Sequence, residues 1–422
     1  MRYDAALKYV YALERRGIKL ELDSLGRGLG RLGHPERHLR FVHVAGTNGK
    51  GSVSAMVASC LRAAGFRTGL FTSPHLHRWV ERIQINGRPL SKTAAAAAIS
   101  EVAEAFDAPR APVLSFFETT FAAALVAFRN AETDIVVLET GLGGRLDATN
   151  VVVPEVSVIT GVALDHQRYL GPTLARIALE KAGILKRGVP AISGVRDRSA
   201  RAVVRTEAKR RRCPLKELDS DFGADGIADL WCGAHTLTDV ELGLPGEHQH
   251  SNAALAYATL LELRAHGFDV PDRAIRHGLR AVRWPCRLEW LEGRPRVLLD
   301  AAHNPEGARA LAKYLGEHRA PGPVVMLFGA SGDKDTNSMV RALKPRADAM
   351  IFVEPPIAHS KDAGALASRH GGERAHSVRD ALARARRRAG AKGTIVVAGS
   401  IFLVGAVRAM LLGLPEDPPI RM

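Results

Sequence analysis

The feature that most constrains this chain is a glycine-rich loop, Gly-Thr-Asn-Gly-Lys-Gly-Ser at residues 46–52. The apolar run 41–45 before it predicts a buried strand, and the apolar positions 53, 56, 57, 60 and 61 after it predict a helix that ends near Gly65. Glycine allows backbone N–H groups to approach phosphate oxygens, Lys50 adds a cation, and the helix N-terminus adds a partial positive charge. The order strand, glycine loop, helix therefore predicts a nucleotide-phosphate site.

This loop departs from the common phosphate-loop pattern G-x-x-x-x-G-K-[ST]. When Gly49 and Lys50 are aligned to that pattern, Val44 occupies the first glycine position, Gly51 occupies the hydroxyl position, and Ser52 comes one residue late. The alternative interpretation is a glycine turn with a surface lysine. The flanking strand and helix favour the nucleotide site.

Length and composition predict a globular, cytoplasmic protein of two or three domains. The chain has 422 residues, 46% of them hydrophobic, and no apolar run approaches the length that spans a bilayer. The N-terminal segment resembles no signal peptide. The cysteines are scattered without metal-ligand spacing, as expected in a reducing compartment: Cys60, Cys213, Cys232 and Cys286.

The basic charge balance allows two interpretations, binding of nucleic acid or attraction of small anionic substrates. Lysine and arginine total 59 against 44 acidic residues, a formal net charge of +15. Within the basic cluster 196–212, Arg201, Arg205 and Lys209 recur at helical spacing, which predicts a solvated helix face. No aromatic residues interleave with the basic clusters as a stacking platform would, so we predict no nucleic-acid partner.

Short β-branched runs alternate with helical segments along the chain, which predicts an α/β protein with mostly parallel sheets. We predict a first domain at residues 1–282 and a smaller α/β domain at 283–422, with the boundary in a stretch rich in glycine, proline and arginine. Residues 94–98 are all alanine and predict a helix capped by Ser91. The predicted strands after the first are 135–138, 156–159, 189–192, 297–299, 324–328, 350–353 and 395–397.

Polar residues follow several of these strands, where ligands of parallel sheets gather. Glu139 ends one strand and is a candidate Mg²⁺ ligand beside the phosphate loop; the alternative is a solvent-exposed strand end. For His166 the alternative is a hydrogen-bonded loop histidine. For Asp300 and His303 it is a helix N-terminal cap before Pro305.

Five motifs in order closely resemble the folylpolyglutamate synthase/dihydrofolate synthase family of the Mur ligase superfamily. The resemblance runs from about Ile18 to Val404, and Gly51 between Lys50 and Ser52 resembles the folate branch in particular. The motifs are GTNGKGS at 46–52, TSPHL at 72–76, ETGLGGRLDATN at 139–150, EKAGI at 180–184 and DAAHNP at 300–305.

The resemblance implies a P-loop, mostly parallel-sheet N-terminal domain, a Rossmann-like C-terminal domain and an amide ligase. ATP would phosphorylate a pteroate or folate carboxylate, and the amine of L-glutamate would displace phosphate from the acyl phosphate. Segment 145–147, Arg-Leu-Asp, resembles members that add the first glutamate, so dihydrofolate synthase activity together with polyglutamylation is implied. The implied protein is a cytoplasmic monomer without nucleic-acid or membrane partners.

By position, the resemblance also implies which residues bind ATP, metal and glutamate. ATP contacts from both sides of the predicted boundary would place the nucleotide in an interdomain cleft. Lys50, Lys181 and His303 are implied as catalytic, and Lys181 as a lysine that is often N-carbamylated. The implied ATP contacts are Asn48, Gly49, Lys50, Gly51, Ser52, Asn252, Arg287 and Asp300. The implied ligands of two Mg²⁺ ions include Ser73, Glu139 and His166, and the implied glutamate contacts are His303 and Ser400.

For the pterin, the resemblance implies two segments. A carboxylate can accept paired N–H bonds from an aminopyrimidine edge, and an aromatic ring can stack on the heterocycle. We expect one of the two adjacent phenylalanines to belong to the core instead. The segments are Ser115, Phe116, Phe117 and Glu118, and Leu146, Asp147 and Ala148.

Two positions depart from the family pattern, and two other functions compete. Cys286 and Glu21 stand where the family usually has glycine, the latter beside Lys19 and Leu20 in a region that helps hold the pterin in some members. A peptidoglycan amino-acid ligase is disfavoured by the Lys-Gly-Ser spacing and by the lack of a recognisable uridine-binding domain before residue 41. A nucleic-acid-stimulated P-loop NTPase is the rival from another class.

Overall fold

The computed structural model describes residues 1–17, 21–107, 110–226, 228–318 and 322–418. The chain forms two compact units. The first comprises Met1–His75, Trp79–Gly243 and Gln249–Arg283, and the second comprises Leu76–Arg78, Leu244–His248 and Trp284–Met422. Within the described residues, none of the helices combines the length and apolarity needed to cross a lipid bilayer.

Up to residue 283 the chain alternates strands and helices around one large sheet. The strands are β1 (Phe41–Ala45), β2 (Thr68–Phe71), β3 (Ile83–Ile85), β4 (Arg88–Pro89), β5 (Ile135–Glu139), β6 (Val156–Ile159), β7 (Ala191–Ser193), β8 (Leu215–Glu217), β9 (Phe222–Asp225), β10 (Asp229–Cys232) and β11 (His235–Leu237). The helices are α1 (Tyr3–Ala12), α2 (Asp23–Leu29), α3 (Lys50–Ala63), α4 (Lys92–Phe106), α5 (Phe116–Asn130), α6 (Gln167–Leu170), α7 (Leu174–Ala182), α8 (Arg198–Arg211), α9 (His248–Ala265) and α10 (Asp272–Ala281).

The large sheet has eight strands in the order β4-β3-β2-β5-β1-β6-β7-β8. The six strands from β2 to β8 in that order are parallel, and β3 and β4 add an antiparallel edge. Every residue of β1 and β5 is buried, because helices cover both faces of the central strands. The carboxyl ends of β2, β5, β1 and β6 consequently lie side by side.

The remaining chain forms a second α/β sheet. Its strands are β12 (Glu289–Leu291), β13 (Arg296–Leu299), β14 (Val324–Phe328), β15 (Ala349–Phe352), β16 (Glu373–Arg374) and β17 (Thr394–Ala398), and its helices are α11 (Pro305–Glu317), α12 (Thr336–Leu343), α13 (Ala363–His370), α14 (Val378–Ala389) and α15 (Ile401–Leu412). The strand order is β12-β13-β17-β14-β15-β16, and β12 alone is antiparallel. Apolar clusters cover both faces.

The structure confirms the predicted α/β class with mostly parallel sheets. The predicted cap of α4 is confirmed, since the Ser91 hydroxyl accepts the Ala94 N–H at 3.1 Å. The sequence patterns missed the small antiparallel sheet of β9, β10 and β11. The expectation of a purely solvated basic face on α8 is wrong in part, because Arg201 and Arg205 both pair with the buried Glu217, at 2.7 and 2.8 Å.

Candidate active site

The glycine loop connects the end of β1 to the start of α3, as the sequence predicts. Gly49 precedes the first helical residue and has φ +84°, a backbone conformation that residues other than glycine rarely adopt. A Cβ atom at this position would lie 2.6 Å from Oδ1 of Asn252. Asn252, on α9, also donates its amide N–H to Gln249 at 2.9 Å. The structure therefore brings the predicted nucleotide residue Asn252 against the loop.

Two lysine side chains converge on one carbonyl of this loop. Nζ of Lys50 donates to the carbonyls of Gly46 and Thr47 at 3.0 and 3.2 Å, and Nζ of Lys181 donates to the same Gly46 oxygen at 2.8 Å. Lys181 is buried on α7, and this burial, reinforced by the charge of Lys50, lowers its pKa to about 7. The Lys50 ammonium group and the more readily deprotonated Lys181 amine thus meet at the Gly46 carbonyl of the candidate phosphate site.

Residues that follow β6 fix the shape of the loop, although no sequence pattern indicates them. The hydroxyl of Thr160 donates to the carbonyl of Asn48 at 2.6 Å. The side chain of Thr47 donates to the Ala163 carbonyl at 3.2 Å and accepts the Ala163 N–H at 3.0 Å. A threonine after a strand is too common to indicate such a role without the fold.

The candidate metal ligands lie at neighbouring strand ends. Glu139 is the last residue of β5 and pairs in register with Val44 of β1, directly before the glycine loop. Its Oε2 accepts the backbone N–H of Ser73, which follows β2, at 3.2 Å. His166 follows β6 as the N-cap residue of α6, and its backbone N–H donates to Oδ1 of Asp165 at 2.9 Å. A hydroxyl oxygen, a carboxylate oxygen and an imidazole nitrogen are a donor set that fits Mg²⁺ or Mn²⁺.

The candidate pterin segment 115–118 begins α5 as a capping box. The Ser115 hydroxyl accepts the Glu118 N–H at 3.3 Å, and Oε2 of Glu118 accepts the N–H and the O–H of Ser115 at 2.8 and 2.7 Å. Oε1 of Glu118 is buried and accepts no hydrogen bond from any described residue. One oxygen of this carboxylate therefore has a structural task, while the other keeps its capacity to bind a donor.

The two phenylalanines of this segment differ in accessibility. Phe116 is 2% exposed and packs edge-to-face on Tyr11, with ring centroids 5.7 Å apart, so it is the one that belongs to the core. Phe117 is half-buried and lies against Gly141, where a Cβ atom would meet its ring at 2.5 Å. Gly141 therefore allows the loop after β5 to approach the Phe117 ring.

Arg82 is a buried cation in this region that no sequence pattern indicates. Its Nε donates to Nδ1 of His75 at 2.8 Å, and its guanidinium lies 5.2 Å from the Phe116 ring centroid. One terminal nitrogen is buried and has no hydrogen-bond partner among the described residues. Burial lowers the pKa of Arg82 to about 10. In the sequence Arg82 lies in the mixed stretch 79–84, Trp-Val-Glu-Arg-Ile-Gln, where an arginine is expected on the surface.

The other candidate pterin segment, 146–148, contains a buried carboxylate, that of Asp147. Oδ2 accepts the Leu142 N–H at 2.7 Å, and Oδ1 accepts the N–H and O–H of Thr149 at 3.0 and 2.5 Å. Asp147 is 4% exposed, and burial raises its pKa while these donors oppose the shift. Leu146 is half-buried and Ala148 is buried beside it. The carboxylate thus holds the glycine turn 141–147 in shape.

In the second unit, Asp300 and Ser400 follow two adjacent parallel strands, β13 and β17. Asp300 accepts the N–H groups of Leu288 and Ala302 at 3.0 and 2.9 Å. Ser400 caps α15 by accepting the Phe402 N–H at 3.3 Å. These bonds place both side chains at the carboxyl end of the second sheet.

The structure shows which residue near Pro305 caps the helix α11. Nδ1 of His303 lies 2.9 Å from the Ala301 carbonyl. The helix cap before Pro305 is Asn304, whose side chain accepts the Gly307 N–H at 2.9 Å, so neither Asp300 nor His303 is the cap. Arg287 donates to the Cys286 carbonyl at 3.3 Å.

The two departures from the family pattern have different structural consequences. Cys286 has φ +59°, in the left-handed region where glycine is favoured, so the cysteine adopts the turn at a cost in strain. Glu21 accepts a hydrogen bond from the Ser24 hydroxyl at 2.8 Å. Lys19 and Leu20, beside it, lie outside the described residues.

Comparisons with known proteins cover nearly the whole chain. Residues 44–260 match the Mur ligase middle domain, and residues 286–401 match the Mur ligase, glutamate ligase domain. The dihydrofolate synthase/folylpolyglutamate synthase of Bacillus subtilis (strain 168) is 33% identical over 425 residues, which are 97% of this chain and 99% of that protein.

Solved structures show the same similarity. The E. coli FolC structure in complex with DHPP and ADP superposes with a TM-score of 0.90 at 32% identity and covers 98% of each chain. A bifunctional folylpolyglutamate synthase/dihydrofolate synthase with Mn, AMPPNP and L-glutamate bound has a TM-score of 0.88 at 32% identity, again over 98% of each chain.

Proposed function

The chain belongs to the folylpolyglutamate synthase/dihydrofolate synthase family of the Mur ligases, and from this premise we propose that it joins L-glutamate to 7,8-dihydropteroate and further glutamates to folates. It is an ATP-dependent ligase that uses a divalent metal ion. The observation that carries the proposal is the convergence of Lys50 and Lys181 on the glycine loop, beside the end of the strand that carries Glu139.

The chemistry of amide formation explains why these residue types are needed. A carboxylate is a poor electrophile, so its oxygen attacks the γ-phosphorus of ATP, ADP leaves, and an acyl phosphate forms. The glutamate amine then attacks the acyl carbon, and inorganic phosphate leaves with the former carboxylate oxygen. Both partners of the first step are anionic, and cations must offset their repulsion.

For ATP, we propose that residues 48–52 bind the phosphates. Backbone N–H groups at the start of α3 face the anion, and Lys50 exchanges its loop carbonyls for phosphate oxygens. The contact between Asn252 and Gly49 supports Asn252 as a further nucleotide residue. Arg287 and Asp300 are proposed as nucleotide contacts from the family resemblance.

For the metal, we propose Ser73, Glu139 and His166 as ligands. A bound divalent cation offsets the charge of the phosphates and makes the γ-phosphorus a better electrophile. The bond from the Ser73 N–H to Glu139 supports this set, because it keeps the carboxylate at the end of β2. We also propose that Lys181 is N-carbamylated, which would replace an amine by a carboxylate-like ligand; its pKa of about 7 supports this reaction.

For the organic substrates, we propose that Oε1 of Glu118 accepts N–H bonds from the aminopyrimidine edge and that the Phe117 ring stacks on the heterocycle. Ser115, Phe116 and the segment 146–148 would frame this pocket. His303 and Ser400 are proposed as contacts of the incoming glutamate.

The experiment is an ADP-release assay with one component omitted at a time, followed by mass spectrometry of the product. We expect ADP release that requires dihydropteroate or tetrahydrofolate together with L-glutamate, and a product heavier by one or more glutamyl residues. ADP release without a gain of glutamyl mass contradicts the proposal. Strong stimulation by DNA or RNA without folates would favour the nucleic-acid-stimulated NTPase instead.

We also propose that the protein is a cytoplasmic monomer. The four cysteines are all buried thiols, as expected in a reducing compartment. Light scattering during size-exclusion chromatography checks the monomer, for which we expect a mass near 45.4 kDa.

A further inference from the structure

A buried polar chain links the strand of the phosphate loop to the candidate pterin segment. His43 is fully buried in the middle of β1, and its Nε2 lies 2.8 Å from the Thr149 hydroxyl oxygen. The Thr149 hydroxyl in turn lies 2.5 Å from Oδ1 of Asp147. Val42 and Val44, on either side of His43, are the residue type expected in such a strand. His43 therefore places a polar side chain at a buried strand position where an aliphatic side chain would be expected from packing alone.

The hydrogen bonds that join His43, Thr149 and Asp147 all run in one direction, from His43 towards Asp147. Asp147 accepts backbone N–H groups on both carboxylate oxygens, so the single hydroxyl proton of Thr149 points to Asp147. The Thr149 oxygen must then accept the Nε2–H of His43. Nδ1 of His43 is a bare acceptor without a hydrogen-bond partner among the described residues. Burial lowers the pKa of His43 to about 3, so the ring is neutral and carries this one proton.

We propose that His43 is a positioning residue for the pterin substrate, acting through Thr149 on the Asp147 carboxylate and on the glycine turn 141–147 that this carboxylate holds. This inference rests on the proposed function. The relay is made of the Nε2–H of His43, the hydroxyl of Thr149 and the carboxylate of Asp147.

The position of the relay explains how one strand serves two substrates. The end of β1 leads into the phosphate loop, and its middle supplies the donor that orients the turn after β5. The turn approaches the accessible ring of Phe117 at Gly141. If the Asp147 carboxylate were no longer held by Thr149, this turn could move away from the Phe117 ring. A substrate stacked on that ring would then lose its contact with the turn.

The test replaces the Thr149 hydroxyl by a methyl group of similar size, Thr149→Val, which keeps the volume and removes both hydrogen bonds. We expect the dissociation constant of dihydropteroate for the nucleotide-free enzyme, and the KM for dihydropteroate, to rise at least about tenfold. The KM for ATP should stay within about twofold, because the phosphate loop keeps its own bonds. Thr149→Ser, which restores a hydroxyl, should recover most of the lost affinity.

A matched control and a double variant separate positioning from general destabilisation. Thr259→Val removes an equally buried hydroxyl that donates to Leu255 within α9, and it should leave all three constants unchanged. His43→Leu should act in the same direction as Thr149→Val, and the double variant should bind dihydropteroate no more weakly than the weaker single variant.

The outcomes distinguish this inference from the proposed function. If wild-type protein forms the glutamylated product while Thr149→Val binds dihydropteroate as wild type does, the relay is wrong and the proposed function stands. An equal rise in the KM for ATP and for dihydropteroate, or failure of Thr149→Ser to restore binding, also overturns the relay. If wild-type protein forms no glutamylated product, the proposed function is wrong.

Discussion

Carbamylation of Lys181 leads to a quantitative prediction, because only a neutral amine adds CO₂. With a pKa of about 7, the neutral fraction is about one tenth at pH 6, about half at pH 7 and about nine tenths at pH 8. An ordinary lysine, with a pKa of 10.5, is neutral in only about one molecule in three thousand at pH 7. Burial beside Lys50 therefore raises the reactive fraction at pH 7 about 1,500-fold, and this fraction grows as pH rises through 7.

The assay is carbon NMR of enzyme equilibrated with ¹³C-bicarbonate at pH 8, together with activity before and after CO₂ removal. We expect a carbamate resonance in wild-type protein and its loss in Lys181→Arg, whose guanidinium does not form the carbamate. Activity should fall after CO₂ removal, most strongly near pH 6, and bicarbonate should restore it.

Lys186 provides the matched control. Burial lowers its pKa to about 8, and its Nζ donates to the Asn150 carbonyl, away from the glycine loop. The carbamate resonance that we assign to Lys181 should persist in Lys186→Arg. A wild-type spectrum without carbamate at pH 8, with activity indifferent to bicarbonate, would refute the reasoning from burial.

Three further variants test separate parts of the structure. Lys50→Ala should lower kcat at least about a hundredfold by removing a cation from the phosphates, with an unchanged thermal midpoint because Lys50 is half-buried at the first position of α3; a small loss of activity would contradict this. Glu139→Gln should raise the Mg²⁺ concentration for half-maximal activity at least about tenfold, since the amide lacks the carboxylate charge; an unchanged Mg²⁺ titration would contradict the metal assignment. Gly278→Ala would place a Cβ atom 2.4 Å from Cα of Cys60, where α10 packs on α3, and should lower the free energy of unfolding by about 1–3 kcal/mol in chemical denaturation. Wild-type stability in that variant would contradict the close approach of the two helices.

The candidate nucleotide side of the site was predictable from local patterns. The glycine loop follows one buried apolar strand and Glu139 ends another, and parallel strands place their carboxyl ends at one edge of a sheet. The register of β1 and β5 then brings them together without any further information. Lys181 was suggested only by family resemblance, because it lies 135 residues from Gly46 and its contact depends on how α7 packs.

The candidate pterin side was less predictable, since the burial of each side chain and the direction of its hydrogen bonds decide what it can bind. The sequence could not tell which of Phe116 and Phe117 is buried, because adjacent helical positions differ only through what packs on them. Arg82 and His43 were missed for a related reason. A single charged or polar residue carries no periodic pattern, and the partners of these two, His75 and Thr149, are identified only by the tertiary fold.

The central claim is that the acid is activated as an acyl phosphate before glutamate attacks it. The most direct test supplies dihydropteroate labelled with ¹⁸O in its carboxylate, together with ATP, Mg²⁺ and L-glutamate, and determines the mass of the released inorganic phosphate. We expect one ¹⁸O atom in phosphate and one in the new amide for each turnover. Phosphate without label, in a reaction that forms the glutamylated product, would contradict it.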